Sequence, residues 1–149
     1  MPTMQINQDF LEFIRLLNSN KVKYVIVGAY ALSFYGRPRF TGDIDIFISS
    51  APDNASRMLK VLESFGMGSL GLTQKDFETP GQIIQLGVAP RRIDILTEIT
   101  GVDFDRAWVN RVEASLEGER IFYLGKEDYI TNKKATGRAR DLSDIEDLQ

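Results

Sequence analysis

The sequence predicts an α/β (α+β) fold, in which a small mixed β-sheet is flanked by helices. Residues 7–19 place apolar side chains at helical spacing, and 24–27 are a short β-branched run typical of a buried strand. Residues 43–49 alternate acidic and apolar side chains before becoming wholly apolar, which indicates a further strand. The predicted order of helix, strand, helix, strand, helix and hairpin describes such a sheet. A chain of 149 residues fits one domain, so we expect 1–149 to fold as a unit.

The first half of the chain divides at its glycines and prolines. Asn7 or Asp9 can cap the first helix, the first strand ends at Gly28, and a short helix over 29–35 is closed by Gly36. Residues 37–42 form an extended loop, because Pro38 blocks continuation of a helix.

The second half alternates helices with pairs of strands. A helix capped by Ser50, with Pro52 in its first turn, is predicted to run to about Phe65, and a mobile connection follows over 66–81. Strands 82–88 and 92–96 are predicted to form a hairpin, followed by a helix over 103–109. The last predicted elements are paired strands 111–116 and 120–123, a helix over 126–136, and a final helical turn or two over 141–148.

Composition removes several kinds of chemistry. The chain has no cysteine and no histidine, which excludes thiolate metal sites, disulfides and the Ser–His–Asp and Cys–His mechanisms. Any metal would be held by oxygen ligands, which favours magnesium, manganese or calcium. The net charge of −3 argues against a dedicated DNA-binding module. No basic–apolar leader and no apolar run long enough to span a bilayer is present, so we expect a cytoplasmic protein that does not contact membranes.

Three aspartates form the candidate catalytic site. Asp43 and Asp45 are two residues apart on a predicted strand, so their side chains leave the same face with Cα atoms about 6.6 Å apart. Asp94 lies in a similar apolar setting, on a strand that can pair beside the first. The alternative is that these are ordinary polar residues on a solvent-facing strand. A strand this apolar is expected to be central, and a central strand rarely carries two acids on one face without a purpose.

Gly28 follows the first predicted strand and opens a helix. Backbone amides in this geometry can hold a phosphate. The alternative is a tight strand-to-helix turn that needs a small residue. Only the nearby acids favour phosphate binding over this alternative.

Taken together, these residues resemble the DNA polymerase β-type nucleotidyltransferase superfamily. The resemblance rests on Val27-Gly28-Ala29, on 39–46 (Arg-Phe-Thr-Gly-Asp-Ile-Asp-Ile), and on Asp94 in a later strand. The stretch 132–145 further resembles the minimal bacterial branch that includes AbiEii-like toxins of toxin–antitoxin systems.

The resemblance implies a role for each of these positions. Gly28 and Ala29 would cradle the phosphates of a nucleoside triphosphate, and Asp43 and Asp45 would bind magnesium (or manganese) carrying it. Asp94 would complete the metal site and help deprotonate the acceptor hydroxyl. Many members have serine after the glycine, whereas Ala29 offers only its backbone amide.

Several cationic side chains are further candidates for binding the nucleotide. Lys133 and Arg138 could neutralise the triphosphate, or they could belong to a solvated helix face. Arg39 flanks the aspartates in sequence, where it could touch phosphate or pair with local acids. Asp141 could hold Lys133 or Arg138 in place.

Three functions stay open at this point. The first is transfer of a nucleoside monophosphate to a protein, an RNA end or a small molecule, with the acceptor chosen by a partner or antitoxin protein or by the 66–81 connection. The second is a regulatory module that binds a nucleotide without turnover. The third is a metal-dependent phosphohydrolase that uses the same aspartates.

Overall fold

The computed structural model describes residues 7–36, 42–88, 91–146 and 148. Its helices are α1 (Gln8–Ser19), α2 (Gly28–Phe34), α3 (Pro52–Ser64), α4 (Gln74–Glu78), α5 (Phe104–Val109), α6 (Lys126–Thr136) and α7 (Ala139–Glu146). Its strands are β1 (Tyr24–Val27), β2 (Ile44–Ile48), β3 (Ile83–Leu86), β4 (Ile93–Leu96), β5 (Val112–Leu116) and β6 (Glu119–Tyr123).

The six strands form one mixed sheet in the order β3-β4-β2-β1-β6-β5. Strands β2 and β4 are parallel, as are β1 and β6, whereas β1 pairs with β2 in the antiparallel direction. Two antiparallel hairpins, β3–β4 and β5–β6, close the two edges. The prediction of a small mixed sheet with flanking helices is confirmed, including both hairpins.

Strands β1 and β2 are the central pair, as their apolar sequences predict. All four residues of β1 are buried, and in β2 only Asp45 is partly exposed. Because neighbouring residues of a strand point to opposite faces, a wholly buried strand needs cover on both sides. Helix α1 packs on β6 and α3, and α2 packs on β1 and β2.

Helix α1 forms where its amphipathic pattern predicts. Its apolar face is buried, and the side chain of Asn7 accepts hydrogen bonds from the backbone N–H groups of Asp9 (2.8 Å) and Phe10 (3.2 Å). These two bonds satisfy donors that a helix start leaves unpaired, so Asn7, rather than Asp9, is the cap.

Two local predictions were wrong. The cap of α3 is Ala51 and not Ser50. Proline disfavours helical backbone in the residue before it, so Ala51 is extended and the helix begins at Pro52. The 66–81 connection is structured: it contains a 3₁₀ turn at Gly68–Leu70 and α4, whose start has reciprocal hydrogen bonds between Thr73 and Asp76. Phe77 is the buried residue that anchors α4, and one apolar residue is too few for periodicity to indicate a helix.

Helix α6 is fastened beside the end of β4. The side-chain amide of Asn132 donates to the backbone carbonyl of Thr100 at 2.8 Å. A Cβ added to Gly101 would lie 2.8 Å from the Cβ of Ala135, so this turn touches α6 only because it carries no side chain. The contact brings α6, which carries Lys133, next to the strand that carries Asp94.

In the described part of the chain, no helix is long and apolar enough to cross a membrane. The predicted extended loop at 37–42 lies outside the described residues except for Gly42.

Candidate active site

Asp45 and Asp94 lie directly opposite each other on parallel neighbouring strands. The β2–β4 register pairs these two residues, so their side chains leave the same face of the sheet, and the two carboxyl groups share a hydrogen bond. Like charges opposite each other destabilise a sheet. The pair is therefore a costly feature in the middle of the sheet.

The titration of Asp45 reflects this cost. Burial is the largest cause that raises the pKa of Asp45, to about 7, followed by the charge of Asp94 and the hydrogen bond with it. The positive charge of Lys133 acts in the opposite direction. At neutral pH the carboxyl group of Asp45 therefore holds a proton part of the time.

Gly28 is required by the position of Asp45. Val27 pairs with Asp45 across the sheet, and Gly28 follows with φ +67°. A Cβ built on Gly28 would overlap the carboxylate oxygen of Asp45. The turn therefore needs glycine both for its left-handed backbone and for the space that the carboxylate occupies.

Arg92 joins Asp43 to Asp94. Its guanidinium Nε and Nη2 donate to the two carboxylate oxygens of Asp94 at 2.7 and 3.1 Å, and Nη2 lies 3.3 Å from Oδ2 of Asp43. The backbone N–H of Arg92 also donates to Oδ1 of Asp43 at 3.1 Å. A guanidinium thus stands between two acids where a cation is expected.

Sequence reasoning missed Arg92. The available signal was its position two residues before Asp94, which predicts side chains on the same face of an extended segment. An arginine at that spacing can form a bidentate pair with a carboxylate.

A cleft of about 400 Å³ opens beside the acidic pair. Its lining includes five of the predicted site residues, Gly28, Asp45, Asp94, Lys133 and Arg138, together with Gln85, Glu98, Asn132 and Thr136, which were not predicted. Asp43 is linked to this cleft through Arg92, and Ala29 is not part of the lining. Arg39 lies outside the described residues.

Asp141 fixes the cationic side of the cleft. Its carboxylate accepts hydrogen bonds from Thr136 Oγ1 at 2.7 Å and Arg138 Nε at 2.6 Å, and it lies 3.5 Å from Lys133 Nζ. Burial would raise the pKa of Asp141, but these hydrogen bonds and the charge of Lys133 lower it below its usual value. Lys133 and Arg138 are therefore held in place, as the sequence suggested.

The residues present suit an oxygen-coordinated divalent cation. Asp94 is buried and Asp45 is partly exposed, and together they offer two neighbouring carboxylates of the kind that such a cation prefers. In the described chain, no group of three acidic side chains is arranged to hold a metal. Arg92 pairs with both Asp43 and Asp94, so a cation that binds these two carboxylates would compete with its guanidinium.

Comparison with known proteins assigns the family. Residues 6–149 match the model of the family described as nucleotidyl transferase of unknown function (DUF2204), so the chain belongs to this family. No curated protein matches the sequence.

Two crystal structures share the fold. A candidate nucleotidyltransferase from Thermotoga maritima superposes with a TM-score of 0.60 at 17% identity, covering 97% of this chain and 94% of that one. An antigenic nucleotidyltransferase-like protein from Paracoccidioides brasiliensis gives a TM-score of 0.52 at 14% identity, covering 94% and 72%. The predicted nucleotidyltransferase-like fold is confirmed.

We expect Gly28→Ala to destabilise the protein more than Gly71→Ala. Both glycines have a left-handed φ, +67° and +78°, which costs a side chain roughly 1–2 kcal/mol. Only Gly28 would also displace a carboxylate, since nothing lies within 4 Å of a Cβ at Gly71. Urea unfolding of both variants measures the difference, and equal losses would contradict the close packing of Gly28 on Asp45.

We expect Asp45→Asn to stabilise the metal-free protein at pH 8 but not at pH 4.5. Because the pKa of Asp45 is raised from 3.8 to about 7, the folded state holds a proton that the unfolded chain releases. The resulting stability is present at low pH and is lost as the pH rises through about 7. The asparagine variant escapes this loss, which we expect to be on the order of 4 kcal/mol, at about 1.4 kcal/mol for each unit of the raised pKa.

Urea unfolding across this pH range in the presence of EDTA measures the effect. Asp53→Asn, which changes an exposed carboxylate on α3, serves as the control. Parallel pH profiles for Asp45→Asn and the unchanged protein would contradict the raised pKa.

Proposed function

We propose that this nucleotidyltransferase-family protein transfers a nucleoside monophosphate from a nucleoside triphosphate to an acceptor, in a reaction that depends on Mg²⁺ or Mn²⁺. The observation that carries the proposal is the in-register pair of Asp45 and Asp94, which lines one cleft together with Gly28, Lys133 and Arg138. Acids that can bind a cation and cations that can bind phosphate thus line the same space, whose volume suits a nucleotide.

In this proposal, the aspartates hold the divalent cation. Asp45 and Asp94 provide two neighbouring ligands, and Asp43 joins them when Arg92 releases it. The bound ion would neutralise the charge that develops on the phosphate oxygens during transfer. We assign to Asp94, which lines the cleft, acceptance of the proton of the attacking acceptor hydroxyl once Arg92 has released one of its oxygens.

The bonds that change follow from this arrangement. The acceptor oxygen attacks the α-phosphorus, a new phosphorus–oxygen bond forms, and the bond from the α-phosphorus to the bridging oxygen breaks. Pyrophosphate leaves. The protein contributes mainly position and charge, which are the principal sources of rate in phosphoryl transfer.

The cationic wall binds the phosphates. Lys133 is nearly buried, with 13% of its side chain exposed, whereas Arg138 is 72% exposed. Both pair with Asp141, which restrains the two charges before a triphosphate binds. The backbone N–H groups of Gly28 and Ala29 contact the same phosphates, and we extend this role to Arg39 from its place in the sequence.

The acceptor belongs to one of three classes: a protein side chain, an RNA end or a small molecule. The resemblance of 132–145 to AbiEii-like toxins motivates the first two, with a partner or antitoxin protein selecting the acceptor inside a bacterial cytoplasm. Intact-mass spectrometry after incubation with the four triphosphates and a cell extract identifies the acceptor by the mass it gains.

The second candidate function is a module that binds a nucleotide without turnover. The observation in its favour is Arg92, which occupies two of the three aspartates in the position a cation would need. Ala29 lacks the hydroxyl that many members of the superfamily place there. Calorimetry with triphosphate and Mg²⁺ measures binding, and incubation with labelled triphosphate measures transfer. Binding without any labelled product favours the module.

We expect labelled nucleoside triphosphate with Mg²⁺ to label an acceptor, and we expect Asp43→Asn, Asp45→Asn and Asp94→Asn to abolish labelling. Each substitution removes a negative charge without changing the shape of the side chain, and a loss of at least about 100-fold is expected for a group that stabilises the transition state. Asp53→Asn should keep full labelling. Labelling that survives the triple substitution would disprove the assignment of these aspartates.

We expect Arg92→Gln to bind Mg²⁺ about tenfold more tightly in the absence of nucleotide and to be less stable in EDTA. The guanidinium competes with the ion for Asp43 and Asp94, and without it two acids lose their partner. Arg15→Gln, which breaks an exposed pair with Glu119, is the matched control. Calorimetry and urea unfolding measure the two effects, and unchanged affinity for Mg²⁺ would show that Arg92 does not compete.

A further inference from the structure

A second and larger cavity lies at the opposite end of the central strands from the candidate active site. It encloses about 690 Å³. Lys21 and Lys23 precede β1, and Glu119 and Arg120 begin β6, which runs parallel to β1. Gly28 follows the other end of β1, about 13 Å away along the strand. The two cavities share no lining residue.

This cavity concentrates positive charge. Five cationic side chains contribute to its lining: Lys21, Lys23, Arg57, Arg111 and Arg120. A single acid, Glu119, accompanies them in the lining, and it already has Arg15 at 3.3 Å and Asn18 at 3.0 Å. The whole chain carries a net charge of −3, so this local excess is not a consequence of composition.

Three of the five cations lack a counter-charge within the described part of the chain. No described carboxylate lies within ion-pair distance of Lys21, Lys23 or Arg111. Arg57 and Arg120 make only peripheral pairs, with Asp53 at 3.9 Å and Glu113 at 3.5 Å. Like charges gathered in a concavity repel one another and raise the local concentration of anions. The cavity is therefore suited to a multivalent anion.

Arg111 is already oriented for such a ligand. Its guanidinium carbon lies 3.7 Å from the centre of the Trp108 ring, and its Nη1 donates to the Trp108 carbonyl at 2.7 Å. Lys23 Nζ lies 5.8 Å from the same ring. A stacked guanidinium keeps several N–H donors in a fixed plane, the geometry that recognises phosphate oxygens.

The surroundings of Trp108 decide between two kinds of polyanion. Arg111 stacks on the ring at close range, and Phe104 and Phe122 pack against it with centroids at 6.1 and 5.5 Å. Single-stranded nucleic acid is usually held by aromatic rings that are free to stack with bases. Trp108 is already occupied, so charge is the main means of recognition that the cavity offers.

We propose that this basic cavity is a second ligand site that binds a compact oligophosphate, such as inorganic tripolyphosphate or the phosphate chain of a free nucleotide. The site is independent of the proposed transfer reaction, because it uses none of the residues of the candidate active site. Lys21 and Lys23 provide mobile point charges, and Arg111 provides the fixed hydrogen-bonding plane.

Trp108 provides the measurement, since it is the chain's one tryptophan. Inorganic tripolyphosphate is titrated in EDTA, which leaves the acidic pair of the candidate active site without a cation. We expect a saturable change in tryptophan fluorescence, because binding shifts the guanidinium that stacks on the ring. ATP and adenosine are titrated in parallel. A stronger response to ATP than to tripolyphosphate identifies a nucleotide as the source, and adenosine is expected to give none.

Matched charge variants test the location. Lys21→Gln with Lys23→Gln should weaken tripolyphosphate binding by about tenfold or more, since two of the three unpaired charges are removed. Lys60→Gln with Lys126→Gln removes the same charge from exposed sites outside the cavity and should leave binding unchanged. Circular dichroism verifies that both variants fold.

Three results would overturn the proposal. The first is an equal response to sodium sulfate at the same ionic strength, which would indicate general screening. The second is equal weakening in both double variants. The third is a saturable response to single-stranded RNA without one to tripolyphosphate, which would assign the cavity to a nucleic-acid backbone instead.

Discussion

The candidate active site depends on one constraint, which is the register between β2 and β4. That register places Asp45 directly opposite Asp94. A slip by one residue would turn one of the two carboxylates to the other face of the sheet, where apolar side chains pack. The register is maintained by the buried isoleucines that alternate with the acids, Ile44 and Ile46 on β2 and Ile93 and Ile95 on β4. Apolar packing thus imposes the juxtaposition of two like charges.

The rest of the site responds to that charge. Gly28 leaves room for the carboxylate of Asp45, Arg92 satisfies Asp94 from one side, and Lys133 acts on Asp45 from α6. Asp141 in turn lies 3.5 Å from Lys133 Nζ, and this ion pair restrains the lysine side chain. Such a chain of compensations is typical of a site built for chemistry, where charges are arranged before the substrate arrives.

Charge is also divided between the two ends of the sheet. The acidic side chains and the lysine and arginine paired with Asp141 lie at the end where β1 leads into Gly28. The cavity at the other end gathers five cationic side chains, including Arg111, which stacks on Trp108. A net charge of −3 conceals this division, because it averages the two regions. The distribution of charge over the folded surface therefore says more about ligands than the total does.

The sequence by itself determined the strands, every described helix except α4, and the acidic pair. Periodicity located the helices and strands, and alternation of acids with isoleucine placed Asp45 and Asp94 on adjacent buried strands, because these patterns are local consequences of packing. Only the tertiary structure showed which segments Arg92, Gly101 and Phe77 contact. Arg92 reaches back to Asp43 across a gap of 49 residues, Gly101 lets α6 approach, and Phe77 orders a segment that its glycines suggested was mobile. These contacts depend on distances between segments remote in sequence, which no local pattern encodes.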